Sequence, residues 1–231
     1  KSSALVVTAE GETEREQLTI VRDDFWATTS NKQLNFVQHI HTILDTHGRA
    51  AVVLPDNVLF EGGAGETIRR KLLATCDLHT MLRLPTGIFY AGGVKANVLF
   101  FDKKPAAEVP WTRELWISDF RTNEHFTMKT NPLRREHLDD FVAAYRPGAR
   151  HERVESERFR RFSYEELVAR DKVNLDITWL KDDSLEDPDN LPAPEVLIAE
   201  IQEEMAAILK QFAEIAVGLD VDPLEAADVA E

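Results

Sequence analysis

The sequence predicts an α/β fold, and three observations carry that prediction. From Asn31 the apolar side chains Leu34, Val37, Ile40, Ile43 and Leu44 follow helical spacing towards Gly48, and a continuous apolar run, RAAVVLP, comes directly after. A helix leading into such a run is the pattern of a sheet covered by helices, so RAAVVLP is expected to be buried on both faces. Next, Ile68, Leu72 and Cys76 recur at i, i+4 and i+8 and mark a second helix, ahead of two more strands, HTMLRLP and VKANVLFFD. Only a loop separates these strands, and a parallel pair needs a crossover of about a dozen residues, so they are expected to pair antiparallel.

The flanking segments are less regular. Residues 1–30 show no sustained period, and GETEREQ reads as an exposed loop. Beyond about Pro105, ELWISDF predicts a strand, and NPLRREHLDDFVAAY a helix with Asn131 as cap and Pro132 in its first turn. FSYEEL carries a capping box from Ser163 to Glu166, and VNLDITWL alternates like a half-exposed strand. KDDSLEDPDNLPAP is a polar linker into the most periodic segment of the chain. There Ile198, Ile201, Met205, Ile208, Phe212, Ile215 and Leu219 are spaced alternately by 3 and 4, a heptad seam. Such a helix packs either on its own domain or on partner helices, and its place behind an acidic linker favours partners. The expected organisation is 1–109, an α+β extension over 110–180, a linker over 181–193, a docking helix over 194–219 and a flexible acidic tail over 220–231.

Composition narrows the functional classes. With 231 residues, 43% of them hydrophobic, the chain can bury a core. No run of about 18 apolar residues occurs, and KSSALVVTAEGETERE lacks the pattern of a secretory signal, so a cytoplasmic protein with no membrane partner is expected. The single cysteine, Cys76, excludes a disulfide framework within one chain. His39 and His41 face apart on the first helix, and no metal site is expected. The formal charge of −14 argues against nucleic acid only until it is divided along the chain. Residues 1–110 hold 12 basic and 13 acidic side chains, residues 111–174 hold 13 and 12, and residues 175–231 hold 2 and 16. The acidity sits in the last quarter, which leaves the rest able to present a local basic surface.

Two loops draw attention. In LRLPTGIFYAGGVKANVLFF, the eight residues Thr86–Gly93 exceed what a tight turn needs, and Phe89 and Tyr90 are unusual residues for a loop tip. Either ring closes the hydrophobic core, or the loop presents one of them to a ligand. In EGGAGET, Gly62, Gly63 and Gly65 precede a helix, but Glu66-Thr67 stands where a phosphate loop has Lys-Ser/Thr, so a strand-to-helix turn is the simpler role. Asn131-Pro132-Leu133 has no buried strand leading into it and reads as a helix cap.

The blocks DFWATTSNKQLNFVQHI, GRAAVVLPDNVLFEGGAGETIRRKLL, LRLPTGIFYAGGVKANVLFFDKKP, RTNEHFTMKTNPL and FSYEELVARDKVNLDI with WLKD resemble the modification subunit of type I restriction-modification systems. The resemblance implies the carboxyl-terminal half of a class I S-adenosylmethionine-dependent adenine-N6 DNA methyltransferase sheet. GRAAVVLP would be strand 5, HTMLRLP strand 6 and VKANVLFF the antiparallel strand 7, followed by the α+β tail and long helix. The family's glycine motif and catalytic Asn-Pro-Pro-Phe are absent from these residues, so the chain is expected to supply no catalytic residue and to be inactive alone. S-adenosylmethionine would be bound by the preceding part of a longer polypeptide. By the same resemblance Phe89, with Tyr90 as the next candidate, stacks on an adenine turned out of the duplex, whose lost stacking an aromatic pocket offsets. Gly62, Gly63, Gly65, Gly92, Gly93 and Lys95 would lie near DNA, with Arg134, Arg135, Arg158, Arg160 and Arg161 as further phosphate contacts. The implied partners are DNA and the specificity and restriction subunits of a type I complex. A module that only docks on partner subunits is the alternative.

Overall fold

The computed structural model describes residues 3–7, 13–17, 19–89, 93–124, 126–128 and 131–181. Along them run β1 (Ser3–Val7), β2 (Thr13–Gln17), α1 (Lys32–Ile43), β3 (Arg49–Pro55), α2 (Asn57–Phe60) and α3 (Ala64–Thr75). Then follow β4 (Cys76–Leu84), β5 (Ala96–Lys103), β6 (Glu114–Asp119), α4 (Asp139–Tyr145), β7 (Phe159–Ser163) and α5 (Tyr164–Ala169). β1 and β2 pair as an antiparallel hairpin, where a loop was expected over GETEREQ. The heptad seam Ile198–Leu219, the linker and the acidic tail lie outside the described residues.

Five strands form one mixed sheet in the order β3-β5-β4-β6-β7. β5 runs antiparallel to both β3 and β4, β4 and β6 are parallel, and β7 is antiparallel to β6. The expected β4–β5 hairpin is therefore present, with β5 inserted between β3 and β4. The expectation for RAAVVLP does not hold: β3 is the outer strand among the described residues, and Val53 is 53% exposed. Burial on both faces belongs instead to the inner strands β4 and β5, which have apolar clusters on either side. Because β6 and β7 extend the same sheet, the region after residue 109 continues one layer with the region before it.

One face of the sheet is covered by α1, α3 and α5. Asn31 caps α1, its side-chain oxygen accepting the N–H groups of Gln33 at 2.9 Å and Leu34 at 3.3 Å. Leu34, Leu72 and Leu167 from these helices meet Leu54, Met81, Phe101 and Ile117 from the strands in the main core. Cys76, read from the sequence as helical, is the first residue of β4; it is buried, and burial pushes its thiol up to about 11, so it is an inert core residue. The second face carries a smaller cluster, Leu82, Leu84 and Ala96, against which Phe100 and Phe141 pack. α4 begins later than expected: a short 3-10 turn at Arg135–Leu138 precedes it, and Asn131 lies outside both. Asp77 and Asp102 sit directly opposite one another on β4 and β5, and the Arg150 guanidinium lies 3.2 and 3.1 Å from the two carboxylates. It cancels a repulsion that would otherwise weaken the pair.

The segment after α5 also departs from expectation. The capping box is formed as read, Ser163 Oγ accepting Glu166 N–H at 3.2 Å and the Glu166 carboxylate accepting Ser163 N–H at 2.6 Å. In VNLDITWL, however, Val173, Leu175 and Ile177 are buried in alternation without joining a ladder. The segment is a strap across the helical face, and its buried carbonyls need other donors. Arg69, 2% exposed, provides them: Nε donates to Val173 O at 3.0 Å and Nη2 to Lys172 O at 2.7 Å. The same guanidinium donates to Val58 O and Glu61 O, both at 2.8 Å, fastening the strap to α2. Arg83 does likewise from β4, pairing with Asp176 at 2.8 Å and donating to Ile177 O.

Arg69→Met keeps the apolar stem and leaves these carbonyls without their donor, so stability should fall by about 3 kcal/mol or more. The urea midpoint of the variant measures this. An unchanged midpoint would mean that burial of Val173, Leu175 and Ile177 holds the strap without the guanidinium.

Candidate functional site

β3, β4 and β6 run in the same direction, so their carboxyl ends share one rim of the sheet. In open α/β sheets ligands bind at this rim. The β4–β5 loop leaves from it, and Leu84 and Ala96 form the last pair before the loop opens. Gly87 then has φ +82°, and a Cβ there would lie 1.7 Å from Phe126 O. Only glycine lets the loop lie against that backbone. Ile88 and Phe89 follow, both resting on the Leu82–Leu84–Ala96 cluster. Phe89 is half-buried.

Beneath the loop is a polar network that the sequence reading missed. The Arg121 guanidinium grips the Asp56 carboxylate with two bonds, 2.7 and 2.8 Å long. Its Nε donates to Leu84 O at 2.9 Å and its Nη2 to Ala96 O at 2.8 Å. Asn97, fully buried, donates to Asp56 at 2.7 Å. Burial works against the charge on Asp56, but the bonds from Arg121 and Asn97 outweigh it and hold its carboxyl below the usual range. The turn after β6 aims Arg121: the Asp119 carboxylate, 1% exposed, accepts the N–H groups of Arg121 at 2.9 Å and Thr122 at 2.8 Å, and the Thr122 hydroxyl at 2.9 Å. The signal for this network was a charged residue at the carboxyl end of each of two predicted strands, in VVLPDN and ISDFRTN.

The other predicted site residues are scattered. Lys95 is exposed beside the rim, and its carbonyl accepts Asp56 N–H at 3.1 Å. Gly93 is exposed, with open space where a Cβ would point; Tyr90 and Gly92 lie outside the described residues. Gly62 and Gly63 turn the chain into α3, but Gly65 is buried, and a Cβ on it would sit 3.0 Å from the Arg69 guanidinium. Gly65 therefore serves the packing of α3 against Arg69. Of the arginines, Arg158 donates to Asp119 O at 3.1 Å and Thr122 O at 2.9 Å, Arg160 lies over the Trp179 ring and Arg161 pairs with Glu114 at 3.5 Å. Arg134 and Arg135 pair with Glu136 and Asp139 on the exposed surface. Among the described residues no group of three or more His, Cys, Asp or Glu side chains is placed to hold a metal, and no helix is long and apolar enough to cross a membrane.

Comparison with known proteins places this architecture. A family model described as N-6 DNA Methylase matches residues 10–185. The chain is 43% identical over 226 residues to the methylase subunit of type I restriction enzyme EcoKI from Escherichia coli K12, covering 84% of this chain and 43% of that subunit. It is 42% identical to the StySJI methylase subunit of Salmonella typhimurium LT2, with the same coverage of 84% and 43%. The crystal structure of the EcoKI M protein matches with a TM-score of 0.64 at 39% identity, over 87% of this chain and 47% of that one. A structure from work on complex assembly and conformational transition of the type I restriction-modification system matches with a TM-score of 0.58 at 28% identity, over 87% and 43%. The chain thus spans less than half the length of these relatives. With the family model covering most of its length and the mixed sheet matching a methylase structure, the chain belongs to the N-6 DNA methylase family.

Proposed function

We propose that this chain is part of the adenine-N6 DNA methyltransferase subunit of a cytoplasmic type I restriction-modification complex. Its share of the reaction is to hold the adenine after it has turned out of the duplex. The observation that carries this reading is Phe89: a half-buried aromatic residue on a loop at the carboxyl rim of three parallel strands. A base that leaves the stack needs a flat apolar partner, and the rim is where one is within reach. In family terms β3, β4 and β5 are strands 5, 6 and 7. The open backbone edge of β3 then pairs with sheet that lies in the part of the relatives this chain does not match.

S-adenosylmethionine would be the methyl donor, but the described residues do not fit it. The glycine turn ahead of α3 offers no cradle, because Gly65 N–H and Thr67 N–H are bonded to Gly62 O and Gly63 O within the turn, and Arg69 fills the space behind Gly65. The cofactor is assigned to the unmatched part, and with it the catalytic Asn-Pro-Pro-Phe. The seam from Ile198 to Leu219 is assigned to docking on a specificity subunit, with the restriction subunit as the further partner.

In the complete subunit, Phe89→Ala should lower methylation roughly 5- to 150-fold, which corresponds to about 1–3 kcal/mol of base stacking lost in the transition state. Phe89→Trp and Phe89→Tyr keep a flat ring and should retain much more activity, while Tm changes little in all three. A large drop in Tm for Phe89→Ala, with activity falling only in proportion to folded protein, would instead assign the ring to packing on Leu82, Leu84 and Ala96. Removing residues from Pro192 onward should leave the remainder folded, as followed by circular dichroism, and abolish co-purification with the specificity subunit. Normal assembly of the truncated chain would contradict the docking role.

A further inference from the structure

We infer that Arg121 is the positioning residue of the base-holding loop: one guanidinium ties both feet of the loop that carries Phe89 to the end of the neighbouring strand. This rests on the proposed role of Phe89. Leu84 O is the last carbonyl of β4 before the loop and Ala96 O belongs to the first residue of β5 after it, and Arg121 donates to both, at 2.9 and 2.8 Å. The two-pronged bond to Asp56 anchors the same group at the carboxyl end of β3. Three strand ends are thereby locked at one point.

The arrangement exceeds what stability at an edge requires. Arg121 is itself aimed by the buried Asp119 turn, and its side chain is only 11% exposed although it stands at the open rim. Asn97 donates to the same Asp56 oxygen, Oδ1, that Arg121 Nη2 bonds, so the partner of Arg121 is fixed as well. A planar guanidinium delivers donors in several fixed directions, whereas an ammonium delivers three from one point and cannot span both loop feet and the carboxylate together. A ring that must meet an extruded base face to face has to be placed closely, and a misplacement of about 1 Å can cost 100-fold in rate.

The test is a double-mutant cycle in the complete methyltransferase, with single-turnover methyl transfer from labelled S-adenosylmethionine to DNA measured per folded protein. Arg121→Lys should lower the rate by a factor approaching, and not exceeding, that of Phe89→Ala, with the affinity for S-adenosylmethionine unchanged. In the Arg121→Lys/Phe89→Ala double variant the rate should lie within about 2-fold of Phe89→Ala alone, because a ring that is gone cannot be misplaced. If Arg121→Lys does not fold, Asp56→Asn, which keeps the shape and removes the charge, takes its place in the same cycle with the same expectation. Losses that multiply in the double variant would overturn the inference while leaving the role of Phe89 standing. Full activity in Phe89→Ala would overturn both, and does so in a different arm of the cycle.

Discussion

The antiparallel placement of β5 between β3 and β4 is the constraint on which the rest of the structure depends. Two parallel strands cannot be joined by a short loop, yet β4 needs only the residues between Leu84 and Ala96 to reach its neighbour, because that neighbour runs the other way. The return strand lies between β3 and β4, and the connection into it leaves from the carboxyl rim. That rim is where β3 and β6 also end, so the loop is delivered to the edge at which open α/β sheets bind ligands. A loop in this position follows from strand order before any chemistry is considered.

Delivery alone does not give a fixed loop, and here buried arginines do the fastening. Arg69 and Arg83 hold the strap after α5, and Arg153 donates to Tyr145 O and His79 O on the second face. The first two satisfy carbonyl groups of the strap that no ladder reaches, and Arg153 satisfies those at the end of α4 and at the register shift in β4. Arg121 belongs to the same class in its bonding and differs in its location, since its acceptors are the two feet of the rim loop. A guanidinium suits this work because its charge persists when buried and its donors diverge in one plane. The basic composition of residues 111–174, which reads from sequence as a surface for phosphates, is thus partly consumed inside the protein.

What was legible in the sequence was local. The periods of α1 and α3, the capping box at Ser163 and the antiparallel β4–β5 pair all depend on residues close in the chain, and the structure shows each of them. The position of β5 beside β3 was not legible, because backbone pairing leaves no periodic trace in one sequence. RAAVVLP, which reads as doubly buried, is the outer strand among the described residues. β7 was missed because FRRFS alternates poorly and carries two arginines, as edge strands do to discourage further pairing. The strap over Val173, Leu175 and Ile177 has the period of a strand without the partner of one. At the rim, Phe89 stood out as an anomaly of composition, whereas Asp56, Asn97 and Arg121, separated by 41 and 24 residues, acquire meaning only when the fold brings them together.

The central claim is that the β4–β5 loop contacts the base that leaves the duplex. Photo-crosslinking tests it most directly: 5-iodouracil replaces the adenine to be methylated, the assembled methyltransferase is irradiated with this DNA, and the adduct is mapped by mass spectrometry. The account predicts a covalent adduct on the tryptic peptide LPTGIFYAGGVK, at Phe89. An adduct confined to peptides outside residues 84–95, formed in good yield by active enzyme, would contradict it.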